Sequence, residues 1–102
     1  MSTKKKIIGV EDLQKKYGRL TFGRLLESHR LSEEASQKDF SKKLKMTASS
    51  LCDLEKGRRI PSASRALKIA KILGVSEKLF IEIALQDQLV SEGLEDIKVS
   101  VA

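Results

Sequence analysis

Apolar side chains recur at helical spacing through most of this chain, and the pattern is clearest within residues 36–61. Phe40 and Leu44 are one helical turn apart, so they would share one face of a helix. After a short break, Leu51 and Leu54 have the spacing of the buried face of a second helix. The pattern therefore predicts two short helices joined by a tight turn.

Residues with known preferences for helix ends bracket both segments. Ser36 and Thr47 each place a side-chain oxygen ahead of an apolar run, where it can accept hydrogen bonds from the first free amides. Gly57 is suited to ending the second helix, and Pro61 prevents its continuation. The second helix is therefore expected to span residues 47–56.

Helical patterns also precede and follow this pair. Thr21 caps a preceding helix, and two further helices follow, one ending at Gly74 and the other running from Ser76 to Gly93. The predicted fold is therefore all-α, with five main helices. The preceding helix has a one-sided apolar stripe, on which the histidine is expected to be a half-buried packing residue: Phe22, Leu25, Leu26 and His29.

The last residues of the sequence show a different period. Ile97, Val99 and Val101 alternate with polar residues, which is typical of a short, half-buried β-strand. An isolated strand is not stable alone, so it would pair with residues 6–10, with its copy in a second subunit, or with another protein. A frayed end is the alternative.

Charge is distributed unevenly along the chain, which has a formal net charge of +6. Residues 1–45 carry 12 basic and 6 acidic side chains, residues 46–75 carry 6 and 2, and residues 76–102 carry 2 and 6. A polyanionic partner is therefore expected to contact the first three-quarters of the chain.

These patterns divide the chain into three parts. Residues 1–20 are a basic N-terminal arm with a short helix, and the arm is either a solvated end or a DNA contact. Residues 21–84 form the main helical domain. Residues 85–102 are a helix extension and strand, suited to dimerisation or to binding a protein partner.

Composition argues against several classes of function. A single cysteine excludes an internal disulfide and suits a reducing compartment, so we expect a cytoplasmic protein. One histidine and one cysteine cannot supply the usual zinc ligands, and we expect no metal or other cofactor. No apolar run approaches the ~18 residues of a membrane span. We also find no paired nucleophile and base and no glycine-rich phosphate loop, so we expect no enzymatic activity.

Residues 21–84 resemble the XRE/Cro-type helix-turn-helix family of phage and bacterial repressors. The resemblance implies a lambdoid repressor-like domain for double-stranded DNA, in which residues 47–56 form the helix that enters the major groove. It rests on segments at the spacing of that family and on the helix behind them: Ser36-Gln37, Phe40-Ser41, Met46-Thr47, Leu51, Leu54-Glu55-Lys56-Gly57, Pro61, Ala66-Leu67, Ile69-Ala70 and Leu73-Gly74-Val75-Ser76.

The resemblance also implies which residues contact bases. Ala48, Ser49 and Asp53 take the main base-contacting positions, and Cys52, which is small and neutral, completes the set of four on the same face. The set is weak, because Ala48 can contact only a thymine methyl group and Asp53, which could accept from a cytosine amine, is repelled by phosphates. Either specificity is modest or comes from DNA shape, or the motif has moved toward protein contacts. The surrounding cations favour the first interpretation.

The same resemblance implies phosphate contacts and one structural ion pair. Arg30 is expected to pair with Glu55, tying the helix that precedes the motif to the end of the second helix. Lys45 replaces the glycine often found at the turn, so either the turn closes differently or Lys45 is left-handed. Side chains around the two helices are implied to hold phosphates: Gln37, Lys38, Ser50, Lys56, Arg58 and Arg59.

These residues imply a transcriptional regulator. We expect a repressor that binds as a homodimer, because single modules of this kind usually bind palindromic sites. The alternative is an antitoxin, which would repress its own operon with the same domain and cover a toxin with its C-terminal segment. Fold alone does not separate the two, and a basic surface alone would also fit RNA.

Overall fold

Five α-helices joined by short turns form the part of the chain that the structure describes. This structure is a computed structural model, and it describes residues 19–94 and 96–101. The all-α prediction is confirmed within these residues. Most of the predicted N-terminal arm, residues 1–18, lies outside them. In chain order the helices are α1 (Phe22–Ser32), α2 (Gln37–Lys43), α3 (Ala48–Glu55), α4 (Ala63–Leu73) and α5 (Glu77–Ser91).

Each of these five described helices starts after a hydroxyl side chain. Thr21, Ser36, Thr47, Ser62 and Ser76 each accept a hydrogen bond from the amide three residues further on, at 3.0–3.2 Å. Each bond satisfies one of the amides that a helix leaves unpaired at its start. The starts predicted at Thr21, Ser36, Thr47 and Ser76 are therefore confirmed, because the signal that sets them is local.

The helices pack around three phenylalanines. Phe22 of α1 and Phe80 of α5 meet edge to face, with ring centroids 5.5 Å apart and planes at 84°. The half-buried ring of His29 lies 5.7 Å from Phe80, which confirms the expectation that this histidine packs against the core. The largest fully buried side chains are Phe22, Phe40, Phe80, Leu26, Leu51 and Ile69.

Gly23 allows α1 to approach the end of α3 closely. A Cβ atom at this position would lie 2.4 Å from the carbonyl oxygen of Leu54 and 2.6 Å from that of Glu55. Both atoms belong to the backbone, so neither can move away without displacing the helix. Glycine at residue 23 therefore sets the position of the C-terminal end of α3.

A buried carboxylate fastens α5 to the start of α1. Asp87 accepts a hydrogen bond from the backbone N–H of Phe22 at 2.8 Å and pairs with the guanidinium of Arg19. A charged acceptor at a helix N-terminus is favoured by the helix dipole. The three residues thus hold the last helix against the first.

The predicted C-terminal strand does not form in the described residues, and this prediction was wrong. The segment instead runs along α5, whose side chains take its hydrogen bonds. The amide of Val99 donates to Gln86 Oε1 at 2.9 Å, and that of Val101 donates to Glu82 Oε2 at 2.8 Å. Gln86 Nε2 also donates to the carbonyl of Ile97 at 2.7 Å. Hydrogen bonds that a second strand would have supplied to this segment are therefore supplied by side chains of α5.

Candidate nucleic-acid interface

The turn between α2 and α3 is closed by two backbone hydrogen bonds. The N–H of Met46 donates to the carbonyl of Ser41 at 2.9 Å, and that of Lys45 donates to the carbonyl of Lys42 at 3.1 Å. Lys45 has a φ of 60°, so it takes the left-handed conformation that glycine usually supplies in this type of helix ending. Of the two alternatives that the sequence left open, the left-handed lysine is the one observed.

A small residue, Ser41, lies on the inward side of α2. Its side chain is buried, and its Oγ donates to the carbonyl of Lys38 at 2.8 Å, so the hydroxyl has a partner within its own helix. The buried side of α3 then carries Leu51, Leu54 and Glu55. With that side fixed to the core, the opposite side of α3 is left facing outward.

The four predicted base-contacting residues share the outward side of α3. Ala48 and Ser49 are exposed in its first turn, and Cys52 and Asp53 follow one turn later, half-buried. Ser50 is also half-buried; its Oγ accepts a hydrogen bond from Thr47 Oγ1 at 3.0 Å. The structure therefore brings the predicted base-contacting residues onto one continuous surface, with small side chains in the first turn.

A buried ion pair holds the end of α3 to α1. Arg30 Nε donates to Glu55 Oε2 at 2.8 Å, Arg30 Nη2 donates to Glu55 Oε1 at 3.1 Å, and Arg30 Nη1 donates to the carbonyl of Ala35 at 3.0 Å. The side chain of Glu55 is only 1% exposed and that of Arg30 is 13% exposed. The hydrogen bond to Glu55 raises the pKa of the Arg30 guanidinium above its ordinary value, so Arg30 stays charged.

The start of α2 is joined to the same buried carboxylate. Gln37 Nε2 donates to Glu55 Oε1 at 3.0 Å, which fixes the side-chain amide that the family resemblance assigns to a phosphate. The amide nitrogen carries a second hydrogen, so one donor remains for another acceptor. Lys38 is the next residue of α2 and is exposed. Gln37 and Lys38 therefore place donors at the N-terminal end of α2, where helix geometry favours anions.

Arg58 occupies a position that the sequence did not predict. Gly57 has a φ of 79°, and this left-handed turn brings the chain back over the end of α3. The Nε atom of Arg58 donates to Asp53 Oδ1 at 2.9 Å, and its Nη2 atom donates to Cys52 Sγ at 3.3 Å. The hydrogen bond to Asp53 raises the pKa of the Arg58 guanidinium. Arg58 therefore contacts two of the predicted base-contacting residues, Asp53 and Cys52, rather than lying beside them.

The remaining predicted cations lie beyond the end of α3. Lys56 and Arg59 are exposed, and both line an open cleft of about 560 Å³ between α1, the end of α3 and α5. Arg24, on the first turn of α1, lines the same cleft. Sequence reasoning missed Arg24 because no local pattern shows that α1 starts near the end of α3. Cations from two separate parts of the chain thus flank the C-terminal end of α3.

Comparison with known proteins gives one match. A family model described as helix-turn-helix matches residues 26–80, which are 55 of the 102 residues of the chain. Neither a search of curated proteins nor a search of solved structures found a match. Among the described residues, no helix combines the length and apolar character needed to cross a membrane. The matched residues include α2, the turn and α3.

Proposed function

This chain belongs to the XRE-type helix-turn-helix family of DNA-binding regulators, and we propose that it represses transcription as a homodimer bound to double-stranded DNA. The observation that carries the proposal is the outward side of α3. Leu51 and Leu54 anchor this helix in the core, while Ala48 and Ser49 on its opposite side are exposed. A helix held in this way can enter a major groove as a rigid unit.

The residues around α3 are suited to holding the sugar-phosphate strands on either side of the groove. Gln37 and Lys38 approach one strand from the start of α2, and Lys56 and Arg59 approach the other from the end of α3. Such contacts supply affinity and register but little sequence preference. The proposed function is therefore binding rather than catalysis, and the proposed location is the cytoplasm.

The end of α5 and the segment after it supply the proposed dimer contact. Leu94 and Ile97 are exposed there, in the acidic part of the chain. Apolar side chains on a surface that repels DNA are suited to contact with a second subunit. A two-fold dimer would present two copies of α3 to successive turns of the major groove.

The same exposed residues favour the second candidate, an antitoxin. A basic toxin would find both apolar contacts and charge complementarity at residues 85–102, and the DNA-binding surface would stay free for autoregulation. Copurification of a small basic protein with the chain from native extract would support this candidate over a repressor that acts alone.

Salt dependence of DNA binding tests the proposed mode. If a dimer contacts 6–10 phosphates, its affinity for duplex DNA is expected to fall about 10³–10⁵-fold between 50 and 200 mM salt. Fluorescence anisotropy with a labelled duplex measures this change. A flat salt response would contradict the proposal.

A pair of charge-matched variants locates the contacts. Lys56→Ala combined with Arg59→Ala is expected to lower the slope of log affinity against log salt by about one for each lost phosphate contact. Lys71→Ala combined with Lys78→Ala removes the same charge from exposed positions elsewhere and is expected to leave the slope nearly unchanged. Equal effects of the two pairs would mean that net charge, not this surface, drives binding.

Truncation tests the dimer. Removing residues 95–102 deletes Ile97 and the hydrogen bonds to α5, so the truncated chain is expected to be a monomer by light scattering while the full chain is a dimer. Circular dichroism checks that the truncated chain keeps its helices. A truncated chain that remains dimeric would move the dimer contact to another surface.

A further inference from the structure

The base-contacting surface of α3 lacks a long donor of its own. Ala48 has no polar group, Ser49 has a short hydroxyl that either donates or accepts, and Asp53 can only accept when ionised. Discrimination of a purine in the major groove usually needs a side chain that forms two hydrogen bonds at once. Within α3 itself, no described residue has such a side chain.

Arg58 supplies the missing group from the turn after the helix. Its backbone N–H donates to the carbonyl of Asp53 at 2.9 Å, and its side-chain Nε donates to Asp53 Oδ1 at 2.9 Å. The main chain and the side chain of Arg58 are thus both hydrogen-bonded to Asp53. The guanidinium is held across α3 beside Cys52, yet the side chain of Arg58 is 58% exposed.

The contacts already made leave the terminal edge of the guanidinium available. Arginine has five N–H donors in a planar fork. Asp53 takes the Nε hydrogen and Cys52 takes one Nη2 hydrogen. No other residue of the described chain takes the remaining hydrogens on Nη1 and Nη2. These two nitrogens form the edge that matches O6 and N7 of guanine.

We propose that Arg58 recognises a guanine in the major groove through O6 and N7, and that Asp53 is the residue that positions it. The proposal rests on the proposed function and names the base that its surface recognises. Asp53 then serves to hold the arginine rather than to accept a hydrogen bond from cytosine. Cys52 adds a weak acceptor on the same side of the guanidinium.

The pairing with Asp53 argues against a phosphate contact for Arg58. A phosphate would approach the carboxylate of Asp53 as well as the guanidinium, and the two anions would repel each other. Guanine presents neutral acceptors, so its edge can approach the same pair without that penalty. Lys56 and Arg59, which form no ion pair with a described residue, are better placed for phosphates.

Selection of binding sites tests the assignment. The full chain is used to enrich duplexes from a randomised pool, and the sites selected by wild type, Arg58→Ala and Arg59→Ala are compared. Arg58→Ala is expected to lose a guanine preference at one position of each half-site, with about 5- to 150-fold less discrimination there. Arg59→Ala is expected to weaken all sequences alike and to keep that preference.

Modified DNA identifies the contact. Replacing that guanine with 7-deazaguanine removes N7, and wild type is expected to bind the modified duplex more weakly while Arg58→Ala binds both duplexes equally. A wild-type protein that ignores the replacement would overturn the proposal. So would an Arg58→Ala variant that weakens every sequence alike, since that is the signature of a phosphate contact.

Variants of Asp53 test the positioning role. Asp53→Ala is expected to reduce the guanine preference and to raise the affinity for unrelated duplexes, because the released guanidinium can then reach phosphates. Asp53→Glu is expected to restore part of the preference. An Asp53→Ala variant that keeps the full guanine preference would show that Asp53 does not position Arg58. A wild-type chain without salt-dependent affinity for any duplex would overturn the proposed function itself.

Discussion

Two arginine–carboxylate pairs use side chains on α3, and they differ chiefly in burial. Glu55 faces the core and pairs with Arg30, and its side chain is 1% exposed. Asp53 lies two residues earlier, on the outward side, and its side chain is 30% exposed in its pair with Arg58. A shift of two residues along the helix is enough to move an arginine–carboxylate pair from the interior to the surface.

Burial decides what each pair can do. Glu55 is surrounded by Arg30 and Gln37, so its hydrogen bonds are made inside the protein and depend little on solvent. Water competes for the Arg58–Asp53 pair, and exposed pairs contribute little to folding. The first pair holds α1, α2 and α3 together, and the second leaves donors available to a ligand.

Removing the buried carboxylate is expected to produce the largest effect. Glu55→Ala leaves the Arg30 guanidinium without its main partner, so the free energy of unfolding should fall by about 3–5 kcal/mol. Chemical denaturation followed by circular dichroism measures the loss. The double variant Arg30→Ala with Glu55→Ala should cost less than the sum of the two single variants. A loss below about 1 kcal/mol for Glu55→Ala would remove the distinction between the pairs.

Removing either residue of the exposed pair is expected to change DNA binding more than the stability of the fold. Arg58→Ala and Asp53→Ala should leave the denaturation midpoint almost unchanged, because solvent already satisfies these groups in part. Both variants should nevertheless alter DNA binding. The denaturation midpoints of these variants are measured in the same series as that of Glu55→Ala. A clear drop in midpoint for either variant would show that the outward pair also holds the fold together.

The ends of the helices could be predicted from sequence because the residues that set them are local. Ser36 and Thr47 bond to amides three residues away, and no distant contact is needed. Gly57 was predicted as a helix end for the same reason, and its φ of 79° agrees. Glu34 was not predicted to be left-handed, since its side chain gives no such signal.

Contacts between distant segments could not be predicted in this way. Gly23 has no side chain and so falls outside any apolar pattern, yet it allows the approach of α1 to α3. Asp87 appears in the sequence as one acidic residue among several, although it is buried against the amide of Phe22. The alternation at residues 97–101 showed that one side is apolar but not that a helix would be the partner.

Arg58 shows a further limit, because its position depends on how the side chain turns after Gly57. The family resemblance assigns Arg58 to a phosphate. Its place in the sequence is compatible with a side chain that points toward a phosphate or back toward α3. Only the structure places the guanidinium on Asp53. Helix positions alone therefore miss residues, such as Arg58, that return to the outward side of α3 from the adjacent turn.

Titration of isotope-labelled protein with duplex DNA tests the central claim most directly, because backbone amide signals report which surface meets the nucleic acid. We predict the largest shifts for amides at the start of α2, along α3 and through Arg59, with little change at Glu82 and Gln86 of α5. Shifts centred on α5, with the signals of α3 unmoved while DNA is bound, would contradict the account.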